Sequence, residues 1–369
     1  LKYSLTSKIS NRMSQAIKIT RLENSNVHSL DFDNIPFGKI FTDHMYEAHY
    51  DNGKWGEFAI RPLDNLSVHP GNLAWHYGQS IFEGMKATKG KDGAPLLFRP
   101  QEHIYRLNSS AKRMCMPAFP EDAFLDAVHT IVKIEEAWIP PSEGSALYIR
   151  PLMFATDEAI GVRPSDKYTL LIMCLPVGPY YPKPVSLLAD TKYIRAAMGG
   201  VGEAKTAGNY AASLYPAKLA KEEGYDQIMW LDAKEHKYIQ EVGTMNIFFV
   251  IDGKVVTPIT EGTILKGITR KTIIHLLEEK GYDVEQRRIS IDEIVESYNS
   301  GKLSEVFGTG TAAVVANVYK FKYKDTVMDF DQAKATVSAY AKATINGLRN
   351  QSIVDTYGWV VEAGSYTKA

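Results

Sequence analysis

Apolar positions along the chain switch between two spacings, and the switches mark out its elements. Residues 41–50 read as a strand, and Asn52-Gly53 behind them is a strong turn signal. Residues 96–99 form a short apolar run that stops at Pro100. From 101 to 114 the apolar residues recur at helical spacing, and Pro117 ends the pattern. Residues 123–134 predict a second amphipathic helix, and 146–154 and 168–175 read as buried strands.

The later part repeats the mixture. Residues 227–231 predict a strand with a turn at 233–235, and 246–258 a hairpin around Asp252-Gly253. A helix is expected over 269–280, with Lys280 in its last turn and Gly281 at its exit. Residues 331–348 predict a long closing helix. Residues 210–223 also carry helical spacing, but Pro216 inside them predicts a kink. Strands and helices alternate irregularly, without the cadence of a doubly wound sheet, so the expected class is mixed α/β (α+β).

One segment breaks the chain into halves. Residues 176–184 hold four prolines and a glycine, which suit an extended connector better than a helix or a central strand. A smaller N-terminal domain is expected over 13–175 and a larger C-terminal one over 185–369. A length of 369 residues is ample for two cores. Residues 1–12 stand apart, with Lys2, Lys8 and Arg12 among serines and no acidic residue before Glu23. They read as an organelle transit peptide or as a leader ahead of Met13. The leader is the reading adopted, with the cytoplasm as the expected compartment.

Composition narrows the function classes. Apolar residues make up 45% and charged ones 23%, with a formal net charge of −1. That balance describes a globular protein with no basic stripe for a nucleic acid. The apolar runs are too short for a membrane span. Cys115 and Cys174 have neither pairing pattern nor metal-ligand spacing, so no metal is expected and both read as small hydrophobes in a reducing compartment.

Four polar, glycine-containing segments are candidates for chemistry. Residues 198–210 place Lys205 among glycines, with neither dinucleotide nor P-loop spacing. Residues 240–246 carry Glu241 between two predicted strands. Residues 307–313 form a small-residue turn with two hydroxyls, and 266–270 open a predicted helix, where backbone N–H groups can hold an anion. Each segment also has a plain reading as a solvated lysine, a surface acid, a corner or a helix cap. Together they supply what pyridoxal phosphate (PLP) requires: a lysine, a carboxylate and anion-binding turns.

The order of the motifs carries more weight. Glu203-Ala204-Lys205 with Asn209-Tyr210, followed by residues 241–246, resembles the branched-chain aminotransferases of the fold-type IV PLP enzymes. The likeness extends through Phe37-Gly38-Lys39, Phe82-Glu83-Gly84-Met85-Lys86-Ala87, Phe98-Arg99-Pro100, Tyr148-Ile149-Arg150-Pro151 and residues 307–312. It covers most of the chain after Met13.

The resemblance implies a transaminase moving amino groups between leucine, isoleucine or valine and 2-oxoglutarate. It implies that Lys205 is catalytic and binds PLP covalently, that Glu241 pairs with the pyridine nitrogen, and that Tyr210 meets the phenolic oxygen. Arg106, Ile268, Thr269 and Thr311 would hold the phosphate. Phe37, Phe82 and Tyr148 would line the apolar pocket, with Arg150 and Tyr77 meeting the distal carboxylate of glutamate. Thr244 and Ala312 would lie at the α-carboxylate. Ala313 and Ala316 stand where some members carry a Cys-x-x-Cys pair, so thiol regulation of that kind is not expected. A homodimer with two domains is implied too. The alternatives are other enzymes of the fold, a D-amino-acid aminotransferase or a 4-amino-4-deoxychorismate lyase.

Overall fold

Two sheets organise the chain, and each buries a different apolar set. The structure is a computed structural model and describes residues 16–36, 38–179, 183–189 and 191–364. The expected leader at 1–12, Phe37 and part of the expected connector therefore lie outside the described residues.

The first sheet is built from β1 (Lys18–Ile19), β2 (His44–Asp51), β3 (Lys54–Pro62), β4 (Ser80–Phe82), β5 (Met85–Lys89), β6 (Pro95–Phe98), β7 (Ala146–Ala155) and β8 (Tyr168–Val177). Its helices are α1 (Leu73–Tyr77), α2 (Pro100–Arg113) and α3 (Glu121–Ile134). Asn52-Gly53 joins β2 to β3, as the turn signal predicts. Pro100 opens α2 at a position where its missing N–H costs nothing. Ile104 and Leu107 of α2 and Phe124, Val128 and Ile131 of α3 bury their faces against Tyr46, Ile60 and Ile149 of the sheet.

The second sheet holds β9 (Val185–Ala189), β10 (Gln227–Leu231), β11 (Ile239–Val242), β12 (Asn246–Ile251), β13 (Lys254–Pro258), β14 (Val284–Arg287), β15 (Leu303–Gly310), β16 (Val314–Tyr323) and β17 (Thr326–Asp329). Around it lie α4 (Ala207–Ala211), α5 (Leu214–Glu222), α6 (Ile268–Glu279), α7 (Ile291–Asn299) and α8 (Thr336–Arg349). Both faces of β12 are covered, which explains its unbroken apolar run. Ile247 and Phe249 join Ile291 and Ile294 of α7. Phe248 instead stacks on Phe307, with centroids 5.1 Å apart, beneath Ile273 of α6 and Ala341 of α8.

Four details depart from the sequence-based expectation. β8 continues through Pro176 to Val177, because its pairing with β2 ends at Met173 and the proline lies where one side is already unpaired. Residues 210–223 form two helices rather than one kinked helix. Pro216 falls in the first turn of α5, where helix N–H groups lack partners anyway. The closing helix begins only at Thr336, after a 3₁₀ turn at Gln332–Lys334. Finally, β18 (Val360–Glu362) returns from the C-terminal half to pair with β6 of the first sheet.

Glu305 on β15 fixes where α8 starts. Its buried carboxylate accepts from Val337 N at 2.8 Å, Ser338 N at 3.0 Å and Ser338 Oγ at 2.9 Å. These are first-turn donors with no partner inside the helix. Glu305→Ala should lower stability by about 2 kcal/mol. Urea unfolding followed by tryptophan fluorescence would show it, and an unchanged midpoint would contradict the capping role.

Candidate active site

The polar stripe of α2 is the scaffold of the site. His103, Arg106, Ser110 and Arg113 are spaced three, four and three residues apart, which puts them on one helix face. Arg106 Nε and Nη2 donate to the two oxygens of Glu83 at 2.7 and 2.9 Å, and its Nη1 donates to the Lys266 carbonyl at 3.2 Å. His103 Nδ1 lies 2.8 Å from Glu83 Oε2. Ser110 Oγ accepts from the backbone N of Lys205 at 2.9 Å, and Arg113 donates to the carbonyls of Gly199 and Gly200.

Glu83 is fully buried, and its environment decides its charge. Burial pushes its pKa up, but the guanidinium of Arg106 and the hydrogen bonds from Arg106 and His103 prevail and hold it well below the usual carboxylate range. Burial pulls His103 down, against the attraction of Glu83. A neutral His103 therefore gives its Nδ1–H to the carboxylate.

Lys205 is held from both sides of its backbone. Its carbonyl accepts from Phe82 N at 3.0 Å, while Thr206 Oγ1 donates to the Ser80 carbonyl at 2.7 Å. α4 begins two residues later and brings Tyr210 round, so that Nζ donates to the Tyr210 hydroxyl at 2.6 Å. Phe82 closes the group, with its ring centroid 4.5 Å from Nζ.

Glu241 sits on β11, buried, with Arg195 Nε 2.7 Å from Oε2 as an ion pair set off the hydrogen-bonding angle. Leu265 N and Asn246 Nδ2 both donate to Oε1 at 3.1 Å. Burial raises the pKa of Glu241 against the opposing charge of Arg195, making it a stronger base than a solvated carboxylate. Asn246 presses on Gly267, where any β-carbon would collide with its oxygen. That close approach sets the start of α6 beside the carboxylate.

A cavity of about 700 Å³ opens between the sheets. It is lined by Arg106, Lys205, Tyr210, Glu241, Thr244, Ile268, Thr269, Thr311 and Ala312, together with Phe82, Tyr148 and Arg150. Tyr77 is not among them, being 43% exposed at the end of α1. Strand alternation supplies the apolar wall: Tyr148, Arg150 and Leu152 of β7 share a face with Met173 and Leu175 of β8. Gly84 leaves room for the Tyr148 hydroxyl, which accepts from Arg150 Nη2 at 2.9 Å. Arg150 lies 4.7 Å from the Phe82 centroid, and its buried Nε has no hydrogen-bond partner.

Sequence reasoning missed the supports: Glu83, His103, Ser110, Arg195, Asn246 and Thr309. Thr309 faces Asn246 across β12 and β15, lines the cavity, and is 1% exposed with an unpartnered hydroxyl. Glu83, Asn246 and Thr309 carried a signal through their places in the runs at 82–87, 241–246 and 307–313, whereas His103, Ser110 and Arg195 carried none.

Residues 80–321 match the family described as amino-transferase class IV. The chain belongs to that family, with the two-sheet architecture of the fold-type IV transaminases. Among its relatives, a probable branched-chain-amino-acid aminotransferase of Staphylococcus aureus (strain N315) is 47% identical over 362 residues, covering 96% of this chain and 100% of that one. The Escherichia coli branched-chain amino acid aminotransferase superposes with a TM-score of 0.73 at 28% identity, over 87% of this chain and 99% of that one. Another solved branched-chain amino acid aminotransferase, complexed with N-(5'-phosphopyridoxyl)-L-glutamate, gives 0.70 at 26% identity, over 86% of this chain and 98% of that one.

The Glu83–Arg106 pair has a pH signature. A carboxyl whose pKa is depressed by folding contributes stability above its unfolded pKa, and that contribution is lost as pH falls toward the folded value. Glu83→Gln should therefore cost about 3 kcal/mol at neutral pH, and the gap from the parent should shrink below about pH 4. Urea midpoints across pH would check this. A gap that stays constant into acid would mean that charge is not what Glu83 contributes.

Proposed function

We propose that this chain is a PLP-dependent transaminase that exchanges amino groups between leucine, isoleucine or valine and 2-oxoglutarate. The observation that carries the reading is the mixed lining of one cavity. A lysine and a buried carboxylate lie on the side of the second sheet, and an apolar wall bearing one unpaired cation lies on the other.

The residues fit the cofactor. Thr309 offers a buried hydroxyl without a partner, and Gly267 caps α6 with no side chain, leaving the first N–H groups of the helix for an anion. Ile268, Thr269, Thr311 and the donors of Arg106 not spent on Glu83 and Lys266 would hold the phosphate. When bound, PLP supplies an electron sink for the pair left behind as the substrate's α-proton departs.

The chain's own groups then have distinct tasks. Lys205 would hold the cofactor covalently, and its Nζ would carry a proton to and from the substrate's α-carbon. Tyr210, 2.6 Å from Nζ, orients that amine and would meet the cofactor's phenolic oxygen. Glu241, a buried carboxylate, would favour a proton at the ring nitrogen through its negative charge. The α-carboxylate lies at Thr311 and Ala312, with Thr244 nearby.

Side-chain choice follows from the wall. Phe82, Tyr148, Leu152 and Met173 suit a branched aliphatic group, and Arg150 gives the distal carboxylate of glutamate a cation. Tyr77, exposed at the end of α1 and outside this cavity, leaves the distal carboxylate to Arg150.

Adding leucine to the purified protein should bleach the visible band of bound PLP, and 2-oxoglutarate should restore it. Lys205→Ala should lose both the band and turnover while keeping its fold. A band indifferent to leucine would move the substrate to another enzyme of the fold, such as a D-amino-acid aminotransferase.

Arg150→Ala separates the two substrate classes. It should lower kcat/KM for glutamate and 2-oxoglutarate by about a hundredfold and that for leucine by less than about tenfold. Equal losses would remove Arg150 from its assigned role.

A further inference from the structure

β5 carries a buried cation that the chemistry above leaves unused. Lys86 is 7% exposed and pairs in register with Tyr148 of β7. Its Nζ donates to the carbonyl of Ala312 at 2.7 Å, so the bond crosses from the first sheet to the turn between β15 and β16. Burial, reinforced by the charge of Arg349, pulls the pKa of Lys86 down to about 7. Arg349 is itself 7% exposed with an unpartnered Nε, and its carbonyl accepts from Thr88, two residues along β5. Among the described residues neither cation has a carboxylate in ion-pair reach.

A buried ammonium without a counter-charge is a costly way to pin one carbonyl, since a neutral donor would do so without the desolvation penalty. A cation is useful there when an anion arrives. In a trans peptide the C=O and N–H point in opposite directions, so a bond that draws the Ala312 carbonyl towards β5 turns the Ala313 N–H the other way. Thr311, Ala312 and Ala313 all line the cavity.

We propose that Lys86 is a positioning residue for the substrate's α-carboxylate, fixing the Ala312 carbonyl so that the Ala313 N–H faces that carboxylate, with the ammonium charge behind it. This rests on the reading that the turn at 311–313 receives the α-carboxylate. Lys86 touches neither substrate nor cofactor; it acts through the turn.

The test is the affinity of the PLP-loaded protein for 4-methylpentanoate, which is leucine without its amino group, by titration calorimetry. Lys86→Met should weaken that affinity about tenfold. PLP affinity should stay within about threefold, and the KM for leucine should rise more than kcat falls. If Lys86→Met does not fold, Lys86→Leu, which likewise cannot donate to the Ala312 carbonyl, is measured against the same criteria. An unchanged affinity for 4-methylpentanoate, or equal losses for it and for PLP, overturns the positioning role and leaves the proposed activity intact. A parent protein that does not bind 4-methylpentanoate removes the carboxylate turn itself, and the proposal with it.

Discussion

A carboxylate cannot be stripped of water unless its partners are already in place, and Glu83 imposes that condition on the whole site. Its oxygens are satisfied by Arg106 and His103, both from α2, so the helix must sit in one rotation and at one height above β4 and β5. With α2 fixed, Ser110 meets the backbone of Lys205, Arg113 clamps the glycine-rich segment before it, and Arg106 reaches the carbonyl that precedes α6. One buried pair therefore sets the lysine, the helix N-terminus and the seam between the sheets.

The first sheet does a second job through strand alternation. Leu147, Ile149 and Met153 of β7 enter its core, while Tyr148, Arg150 and Leu152 face the cavity. A register slip of one residue would bury Arg150 among Ile104 and Phe124 and turn apolar core residues to the ligand side. Stability of the core thus enforces the chemistry of the wall.

Local order was legible in the sequence, and long-range pairing was not. α2, α3, α6 and the two hairpin turns follow from spacing and turn residues alone, because their signals lie within a dozen positions. Pro216 was seen, but its effect depended on where α5 began, which a hydrophobic period does not fix. β18 finds its partner in β6 across most of the chain, so no local pattern marks it. The same divide runs through the site. Lys205 and Glu241 stand out beside glycines, whereas Arg195 and Arg106 look like ordinary charged residues until the fold brings each against a buried carboxylate. Arg106 entered through the family resemblance and not through its own surroundings.

Charge balance links these levels. Glu83 is matched by Arg106 and Glu241 by Arg195, so the buried acids are already neutralised before any ligand enters. Lys205, Arg150 and Lys86 remain, and among the described residues none of the three is ion-paired. Such a surplus of cations is unfavourable in an empty cavity and becomes favourable when anions fill it. Arg150 stands on the apolar wall, and Lys86, in register with Tyr148 on the same face of the first sheet, reaches across to the turn at 311–313. A ligand with a carboxylate at each end can answer both, and one with a single carboxylate answers only the charge at the turn. The wall's remaining apolar surface then decides how well a hydrocarbon end is received. On this view the site accepts two kinds of side chain without moving any residue, because the cation at Arg150 is packed against Phe82 and Tyr148 and can stay where it is when an aliphatic group lies beside it.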